Sequence, residues 1–209
     1  MIDLYTWSTP NGRKISILLE ELGWPYTVHP VDITRNEQFA PDFLAISPNN
    51  KIPAIVDHES GMTLMESGAI LIYLAERAER FLPRAPSARM VTLEWLMWQM
   101  GGFGPMLGQA HHFVHFNPDK SQYAHERYAA EAQRLYGVLD RRLATHAYVA
   151  GAEYTIADIA IWPWAARHEW QAVSLHDFPH VLRWYRDIAA RPAVIRGYSV
   201  PTALGIPEP

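Results

Sequence analysis

The sequence predicts a protein of two domains, an α/β domain at the N-terminus followed by an all-α domain. Over the first eighty or so residues, short strand patterns alternate with amphipathic helix patterns. After residue 88 no further strand pattern occurs, and the sequence consists of long segments with the helical period of about 3.6. Between these parts, ERFLPRAPSAR at 79–89 carries two prolines in a polar stretch typical of a linker.

The N-terminal domain begins with the order strand, helix, strand. MIDLYTW predicts the first strand, and the turn TPNG at 9–12 leads into a helix. The apolar residues of this helix recur at i, i+3, i+4 and i+7, at Ile15, Leu18, Leu19 and Leu22. Gly23 ends the helix. YTVHPVDI predicts the second strand, and Pro30 favours an edge position because proline cannot donate to a strand ladder.

The domain continues with an irregular connection, a hairpin and another helix. EQFAPDFLAIS predicts at most a weak helix, whereas PAIVDHESGMTLME predicts two strands joined around Ser60-Gly61. A further helical stripe begins near Ser67. The order β-α-β followed by β-β-α is the thioredoxin-like arrangement, a mixed sheet with helices on its faces. We therefore assign residues 1–80 to a thioredoxin-like domain.

The C-terminal domain is predicted from helical periodicity alone. ARMVTLEWLMWQM, YAHERYAAEAQRLYGVLDRRLAT and FPHVLRWYRDIAAR all carry it. In YTIADIAIWPW, Thr155 is followed three residues later by Asp158, which resembles a capping box at the start of another helix. We assign residues 88–199 to this domain and residues 200–209 to a proline-rich tail.

Composition narrows the function. The net charge is -4 with both signs mixed along the chain, so no basic stripe indicates nucleic acid or a lipid surface. No apolar run approaches the roughly 20 residues needed to cross a bilayer. The N-terminus lacks a basic region followed by an apolar core, so we expect a cytoplasmic protein. The chain has no cysteine, which excludes disulfides, thiolate metal sites and a thiol nucleophile of its own.

The motifs resemble those of the cytosolic glutathione transferases. SPNNKIPAIVD at 47–57 is similar to their segment with a cis-proline before the third strand. MESGAILIYLAE resembles their strand-to-helix turn, and TIADIAIWPW resembles their helical capping box. TPNGRK, ISPNNKIPAIVDH, ESGAIL and GGFGPMLGQAHHF together resemble the bacterial nu-class members, which are glutathione-dependent disulfide-bond oxidoreductases.

The resemblance implies a glutathione-dependent disulfide reductase in which bound glutathione supplies the thiolate and a second glutathione resolves the mixed disulfide. It implies glutathione as co-substrate, two per subunit or as glutathione disulfide, small-molecule disulfides or electrophiles as partners, and a homodimer. Two alternatives stay open. One is classical conjugation of glutathione to hydrophobic electrophiles, and the other is a non-catalytic binding module on the same fold.

Thr9 and Asn11 are the predicted catalytic residues. The attacking species is a thiolate, and a free thiol has a pKa of about 8.5. A hydrogen bond to a charged group contributes about 1.5–3 kcal/mol, so the Thr9 hydroxyl, the Asn11 amide and the first helical N–H groups suffice to favour the thiolate. Tyr5 is a rival for this role, although its place inside the strand favours a core role, and Ser8 is a weaker rival.

The resemblance places the remaining glutathione contacts. It implies a cis Ile52–Pro53 bond that turns the Ile52 backbone toward the cysteinyl backbone of glutathione. Glu66 would accept from the α-amino group, while Ser67 would cap its helix and donate to the γ-glutamyl carboxylate. Asn11 also contacts the peptide. Further binding residues are Gln38, Lys51, which would pair with the glycyl carboxylate, and Arg127 from the helical domain.

GGFGPMLGQAHHFVHF at 101–116 predicts a bent helix whose histidines and aromatic residues line the mouth of the active-site cleft. His111 and His115 are four residues apart, the spacing of a metal pair on one helical face. No carboxylate within the segment has a suitable spacing, so we predict no metal site.

Overall fold

A computed structural model describes all residues, 1–209, as two compact units. The first unit combines Met1–Leu82 with Ala190–Ile206, and the second combines Pro83–Ala189 with Pro207–Pro209. Residues 190–199, which the sequence analysis grouped with the helical domain, therefore pack in the first unit. The difference arises from a contact between segments far apart in the chain, which local periodicity does not reveal.

The first unit contains a four-stranded mixed sheet in the order β2-β1-β3-β4. Its strands are β1 Ile2–Thr6, β2 Tyr26–Pro30, β3 Ala54–Asp57 and β4 Met62–Met65. β1 is parallel to β2 and antiparallel to β3, and β3 is antiparallel to β4. This is the predicted thioredoxin-like arrangement, and the strand that contains Pro30 lies at the predicted edge.

Four α-helices complete the first unit: α1 Pro10–Leu22, α2 Pro41–Ile46, α3 Ser67–Ala78 and α9 Pro192–Tyr198. Short 3₁₀ turns at Ile33–Arg35 and Glu37–Phe39 form the irregular connection. Gly23 ends α1 in the left-handed conformation, with φ of 69°. The predicted helix stop is confirmed.

α9 packs closely on α1. A Cβ at Gly197 would lie 2.6 Å from the Ile17 Cα, so only glycine permits this approach. Ser16 Oγ donates to the Gly197 carbonyl at 2.7 Å. The buried Arg13 side chain stacks on the Tyr198 ring at 3.8 Å and donates to the Tyr198 carbonyl. This contact explains why residues near 195 belong to a unit that begins at residue 1.

The second unit is helical. Its α-helices are α4 Pro86–Trp98, α5 Gly104–Ala110, α6 Gln122–Leu143, α7 Ile156–Ala165 and α8 Pro179–Ala189. π-helical turns at Gln99–Phe103 and His111–Phe116 flank α5, and 3₁₀ turns lie at His168–Gln171 and Leu175–Asp177. No helix combines the length and apolar character needed to cross a bilayer.

The predicted capping box at the start of α7 is confirmed. The Thr155 side chain accepts from the helix backbone, and Asp158 accepts from the Thr155 N–H at 3.0 Å. Asp158 is fully buried and also accepts from Val149 N–H and from the Trp184 indole N–H, both at 2.9 Å. A carboxylate with these donors is the polar centre of the helical core.

The histidines of the segment 101–116 differ from one another. His111 is buried and lies 3.0 Å from the Gln171 amide nitrogen, against the Trp164 ring. Burial lowers its pKa to about 4, with smaller contributions from Arg167 and His115. The expectation that these histidines line a cleft mouth is therefore wrong for His111, which is a neutral core residue.

Candidate functional site

The predicted site segments of the first unit meet at one edge of its sheet. β1 ends at Thr6, opposite the residues where β3 begins, and Ala54 pairs with Met65 at the end of β4. Because β3 is antiparallel to both neighbours, the loop after β1, the residues before β3 and the turn after β4 share this edge. β2 ends there as well, since Val31 N–H donates to the Thr6 carbonyl at 2.9 Å.

The loop after β1 presents Thr9 and Asn11 at the start of α1. Thr9 is the N-cap, and its hydroxyl oxygen accepts from Gly12 N–H at 3.2 Å. A hydroxyl that accepts this bond retains its own hydrogen for an acceptor. Asn11 is half-buried in the first turn, where no acidic side chain offsets the positive end of the helix dipole. The loop can therefore stabilise an anion.

Gly12 fixes the geometry of this loop. A Cβ at Gly12 would overlap the Thr6 hydroxyl and the Trp7 carbonyl oxygen. Because the Trp7 oxygen is backbone, it cannot move aside as a flexible side chain would. Gly12 thus allows the first turn of α1 to lie directly on the end of β1.

The Ile52–Pro53 peptide bond is cis, as predicted. Pro53 is buried and Ile52 is half-buried, packed against a small cluster formed by Val31, Phe43 and Ala54. Ile52 precedes β3, so its backbone N–H and C=O lie outside the strand pairing. These backbone groups lie at the same edge as Thr9.

Glu66 and Ser67 form the turn between β4 and α3. Glu66 is the N-cap residue, without a side-chain capping bond, and its positive φ of 69° is a sparsely populated conformation that costs a non-glycine residue roughly 1–3 kcal/mol. Ser67 is the first helical residue rather than the cap. The prediction that Ser67 caps α3 is therefore wrong, and its hydroxyl has a different contact.

That contact is Lys14, which the sequence analysis did not single out. Lys14 Nζ donates to Ser67 Oγ at 3.2 Å, and the two side chains are 1% and 3% exposed. Burial lowers the pKa of Lys14 to about 7, and the charge of Glu66 opposes this shift. The sequence carried one signal: Lys14 lies four residues before Leu18, so it extends the apolar face of α1.

Gln38 and Lys51 are also in the first unit. The Gln38 side-chain oxygen is buried and has no hydrogen-bond partner within the protein. Lys51 is exposed, and its carbonyl accepts from Ser47 Oγ at 2.8 Å. Lys51 thus has a fixed backbone and an exposed side chain.

Arg127 belongs to the second unit and is exposed on α6. It lines a groove of about 630 Å³ together with Met106, Tyr123, Glu126, Tyr128, Ala130, Glu131 and Arg134. Arg134 is paired there with Glu131. Arg127 is the one predicted site residue outside the first unit.

The two rival residues differ in their surroundings. Tyr5 stacks on His29 with ring centroids 4.7 Å apart, and burial and Asp3 raise its pKa. Its ring packs on His29 and on the small cluster of Val31, Phe43 and Ala54. The Ser8 hydroxyl is buried in the loop after β1 without a hydrogen-bond partner. Ser8 is therefore the stronger rival to Thr9.

Residues of both units match known protein families. Residues 1–76 match the family described as glutathione S-transferase, N-terminal domain, and residues 103–192 match glutathione S-transferase, C-terminal domain. A curated Escherichia coli relative, named disulfide-bond oxidoreductase YfcG, is 51% identical over 92% of this chain and 92% of its own length.

Two solved structures are similar over nearly the whole chain. A glutathione transferase from Pseudomonas putida with one glutathione disulfide bound per subunit has a TM-score of 0.91 and 43% identity. The match covers 96% of this chain and 91% of that one. A glutathione transferase from Burkholderia graminis with two glutathione molecules bound per subunit has a TM-score of 0.90 and 43% identity, covering 96% and 88% of the two chains.

Proposed function

The chain belongs to the glutathione S-transferase family, and we propose that within it the protein is a glutathione-dependent disulfide-bond reductase. One observation carries the proposal. The loop at the start of α1 can stabilise an anion, and the chain contains no cysteine that could supply one. The thiolate must therefore come from glutathione. The naming of the Escherichia coli relative and the ligands of the two solved structures support the same reaction.

The reaction needs two glutathione molecules and no other reductant. The thiolate of the first attacks one sulfur of a disulfide, forms a mixed disulfide and releases the other sulfur as a thiolate. The thiolate of the second then attacks the sulfur of the first glutathione, forms glutathione disulfide and releases the remaining substrate thiolate. Two thiols are oxidised and one disulfide is reduced, so electrons balance.

Thr9 and Asn11 stabilise the attacking thiolate in this proposal. The Thr9 hydroxyl already accepts from Gly12 N–H, which leaves it oriented to donate its own hydrogen to sulfur. The Asn11 amide and the positive end of the α1 dipole add to this. Together they favour the thiolate over the thiol at neutral pH.

The remaining first-unit residues hold the peptide. The Ile52 backbone pairs with the cysteinyl backbone as an added strand would, since it lies outside the sheet pairing. Glu66 accepts from the γ-glutamyl amine and Ser67 donates to its carboxylate. Lys51 pairs with the glycyl carboxylate, and the buried Gln38 side-chain oxygen gains a partner from the ligand.

Arg127 is proposed as a contact to glutathione from the second unit. Its guanidinium suits a carboxylate, which it can bind through two parallel hydrogen bonds. Arg127→Met should raise KM for glutathione without altering the pKa of the bound thiol. A change in that pKa would give Arg127 a role at the sulfur instead.

The test is reduction of 2-hydroxyethyl disulfide by glutathione, followed beside conjugation of glutathione to a halonitrobenzene. The proposal requires faster turnover of the disulfide, and it requires glutathione disulfide as the product. Faster conjugation would instead assign the classical transferase reaction. Absence of both, with glutathione still bound, would assign a binding module.

We also propose a homodimer in the cytoplasm. The exposed side chains of Met90 and Met97, seven residues apart on α4, support an association surface on one face of that helix. A reducing glutathione pool is required to drive the proposed reaction, and the cytoplasm supplies one. Sedimentation equilibrium should give twice the chain mass; a monomer at micromolar concentration would contradict the dimer.

A further inference from the structure

A buried lysine, Lys14, contacts Ser67 of the proposed glutathione site. Lys14 Nζ lies 3.2 Å from Ser67 Oγ, and both side chains are nearly inaccessible. An ammonium only donates, so Ser67 Oγ accepts this bond and the hydroxyl hydrogen points away from Nζ. The Lys14 bond thus limits the directions in which Ser67 can donate.

Burying a lysine side chain is costly, because its charged form loses hydration. Glu66 offsets part of this cost, since its charge favours protonated Lys14. In the proposed complex a second anion, the γ-glutamyl carboxylate, would lie one hydroxyl beyond Lys14. A charge that is expensive in the free protein is therefore stabilised when the ligand is bound.

We propose that Lys14 is a positioning residue for glutathione: its buried ammonium orients the Ser67 hydroxyl and attracts the γ-glutamyl carboxylate. The inference rests on the proposed function, because it assumes that this edge binds glutathione. It adds a residue that is not in contact with the sulfur and whose charge controls affinity.

Other charged groups on the elements that pack against α1 have partners elsewhere. On the α9 side, Arg196 pairs with Glu20 and Arg191 with Glu21, each at 2.6 Å. At the far end of α3, Arg77 pairs with Asp57. The remaining titratable side chains on β1, α3 and α9 are Asp3, Tyr5, Tyr73, Glu76 and Tyr198. Next to Lys14 on α1, the buried Arg13 guanidinium stacks on the Tyr198 ring, while the charge of Glu66 favours protonated Lys14.

A pH dependence follows from the position of Lys14. Its pKa of about 7 in the free protein means that the ammonium is present below neutral pH and lost above it. An anionic ligand binds the protonated form more tightly, so affinity is highest below pH 7 and falls as the pH rises.

S-methylglutathione separates this effect from thiol ionisation, because its sulfur does not titrate. Its dissociation constant should increase about tenfold between about pH 6 and about pH 8.5 for the wild-type chain. A matched analogue, 4-aminobutanoyl-S-methylcysteinylglycine, keeps the amine but lacks the γ-glutamyl carboxylate. Its dissociation constant should stay nearly constant over the same range. This comparison uses no substitution and therefore does not depend on whether a variant folds.

Lys14→Met tests the same charge. At about pH 6 this variant should bind S-methylglutathione about tenfold more weakly, the size expected for one charge-assisted hydrogen bond. It should bind the analogue as the wild type does, and its affinity should no longer vary with pH. The thermal midpoint should not fall, because methionine replaces a costly buried ammonium. Lys120→Met, at an exposed lysine in the second unit, is the matched control.

The outcomes separate the two proposals. If the wild type binds S-methylglutathione but neither the pH nor Lys14→Met alters its affinity, the role of Lys14 is wrong and the proposed function stands. Equal losses for both ligands would also contradict it, since the effect would not involve the carboxylate. If the wild type binds neither ligand, the assignment of the glutathione site itself is wrong.

Discussion

At the scale of single residues, the first turn of α1 combines a structural and a chemical role in the same atoms. The Thr9 hydroxyl caps the helix by accepting from Gly12 N–H, and the same hydroxyl is proposed to donate to sulfur. A substitution at Thr9 would therefore change stability and chemistry together. A substitution at Asn11 distinguishes the effect on chemistry from the effect on stability better, because Asn11 is not the cap residue.

Asn11→Ala should raise the pKa of the bound glutathione thiol by about 1 unit, through loss of one hydrogen bond to a charged group. Disulfide reduction at neutral pH should slow accordingly. Thiolate absorbance in the ultraviolet, measured against pH for the complex, gives the pKa directly. Asn11→Asp keeps the side-chain size but adds a negative charge, so it should raise the pKa further. If neither variant shifts the pKa, Thr9 or Ser8 holds the thiolate.

Gly12→Ala should destabilise the protein by about 1–3 kcal/mol, because the added methyl group meets the Trp7 carbonyl oxygen. Glutathione affinity should fall as well, since the loop must move. Gly205→Ala is the matched control, because a Cβ there meets nothing within 4 Å. Chemical denaturation measures both. Equal stabilities for the two variants would show that the loop yields without cost.

The motifs in the sequence pointed to most residues of the proposed site but not to Lys14. Thr9 and Asn11 stand in a local turn motif, whereas the cis bond at Pro53 was expected from the family resemblance, because an X–Pro bond taken alone favours trans. Lys14 resembles an ordinary helix lysine in sequence, and its burial depends on Ser67, which is 53 residues away. Ser67 itself was expected to cap α3, but the cap falls on Glu66 one residue earlier. The contact between Lys14 and Ser67 joins distant segments, which local motifs do not reveal.

At the scale of elements, sequence patterns that span a few residues were sufficient to predict the strands and the helix ends. The strands, the Gly23 helix stop and the Thr155 capping box were all predicted, since each depends on spacings of a few residues. The π-helical turns on either side of α5 were not predicted. Nothing in a helical period of about 3.6 distinguishes a π turn from an α turn, because both keep the residues on a continuous helix.

Asp158→Ala should destabilise the protein strongly, on the order of 1–3 kcal/mol for each buried donor that loses its acceptor. Asp158→Asn should cost less, because one amide oxygen can still serve either Val149 and Trp184 or the Thr155 pair. Denaturant titration compares the two variants. A larger loss for the asparagine variant would mean that its amide hydrogens clash with these donors.

The Asp158 carboxyl also makes the stability of the protein depend on pH, in a direction that its pKa determines. Burial raises the pKa of Asp158 to about 6, above its ordinary value of 3.8. The folded chain therefore holds the proton more tightly, and this contribution to stability is full below about pH 4 and lost as the pH rises through about 6. The asparagine in Asp158→Asn does not titrate. The difference in free energy of unfolding between the wild type and this variant should therefore become smaller as the pH rises from about 4 to about 6. A difference that widens would reverse the sign assigned to Asp158.

At the scale of the whole molecule, the first unit is built from two separate parts of the chain. α9 supplies the glycine contact to Ile17, the carbonyl that accepts from Ser16 and the ring under Arg13. A chain ending at residue 189 lacks all three, so its first unit should lose cooperative unfolding and affinity for S-methylglutathione. Circular dichroism melting and calorimetry test this. Adding a peptide of residues 190–206 should restore part of the affinity; full affinity without it would contradict the role of α9.

The divided first unit also has a consequence for the order of events during translation. The sheet, α1 and α3 leave the ribosome first, yet the surface of α1 that meets α9 stays uncovered until residues 190–206 have been made. The second unit, whose main part is continuous from Pro83 to Ala189, can fold before then. The first-unit residues proposed to bind glutathione are thus synthesised well before the unit that holds them is complete, so free glutathione would act on the nascent chain as a ligand that favours folding of this unit.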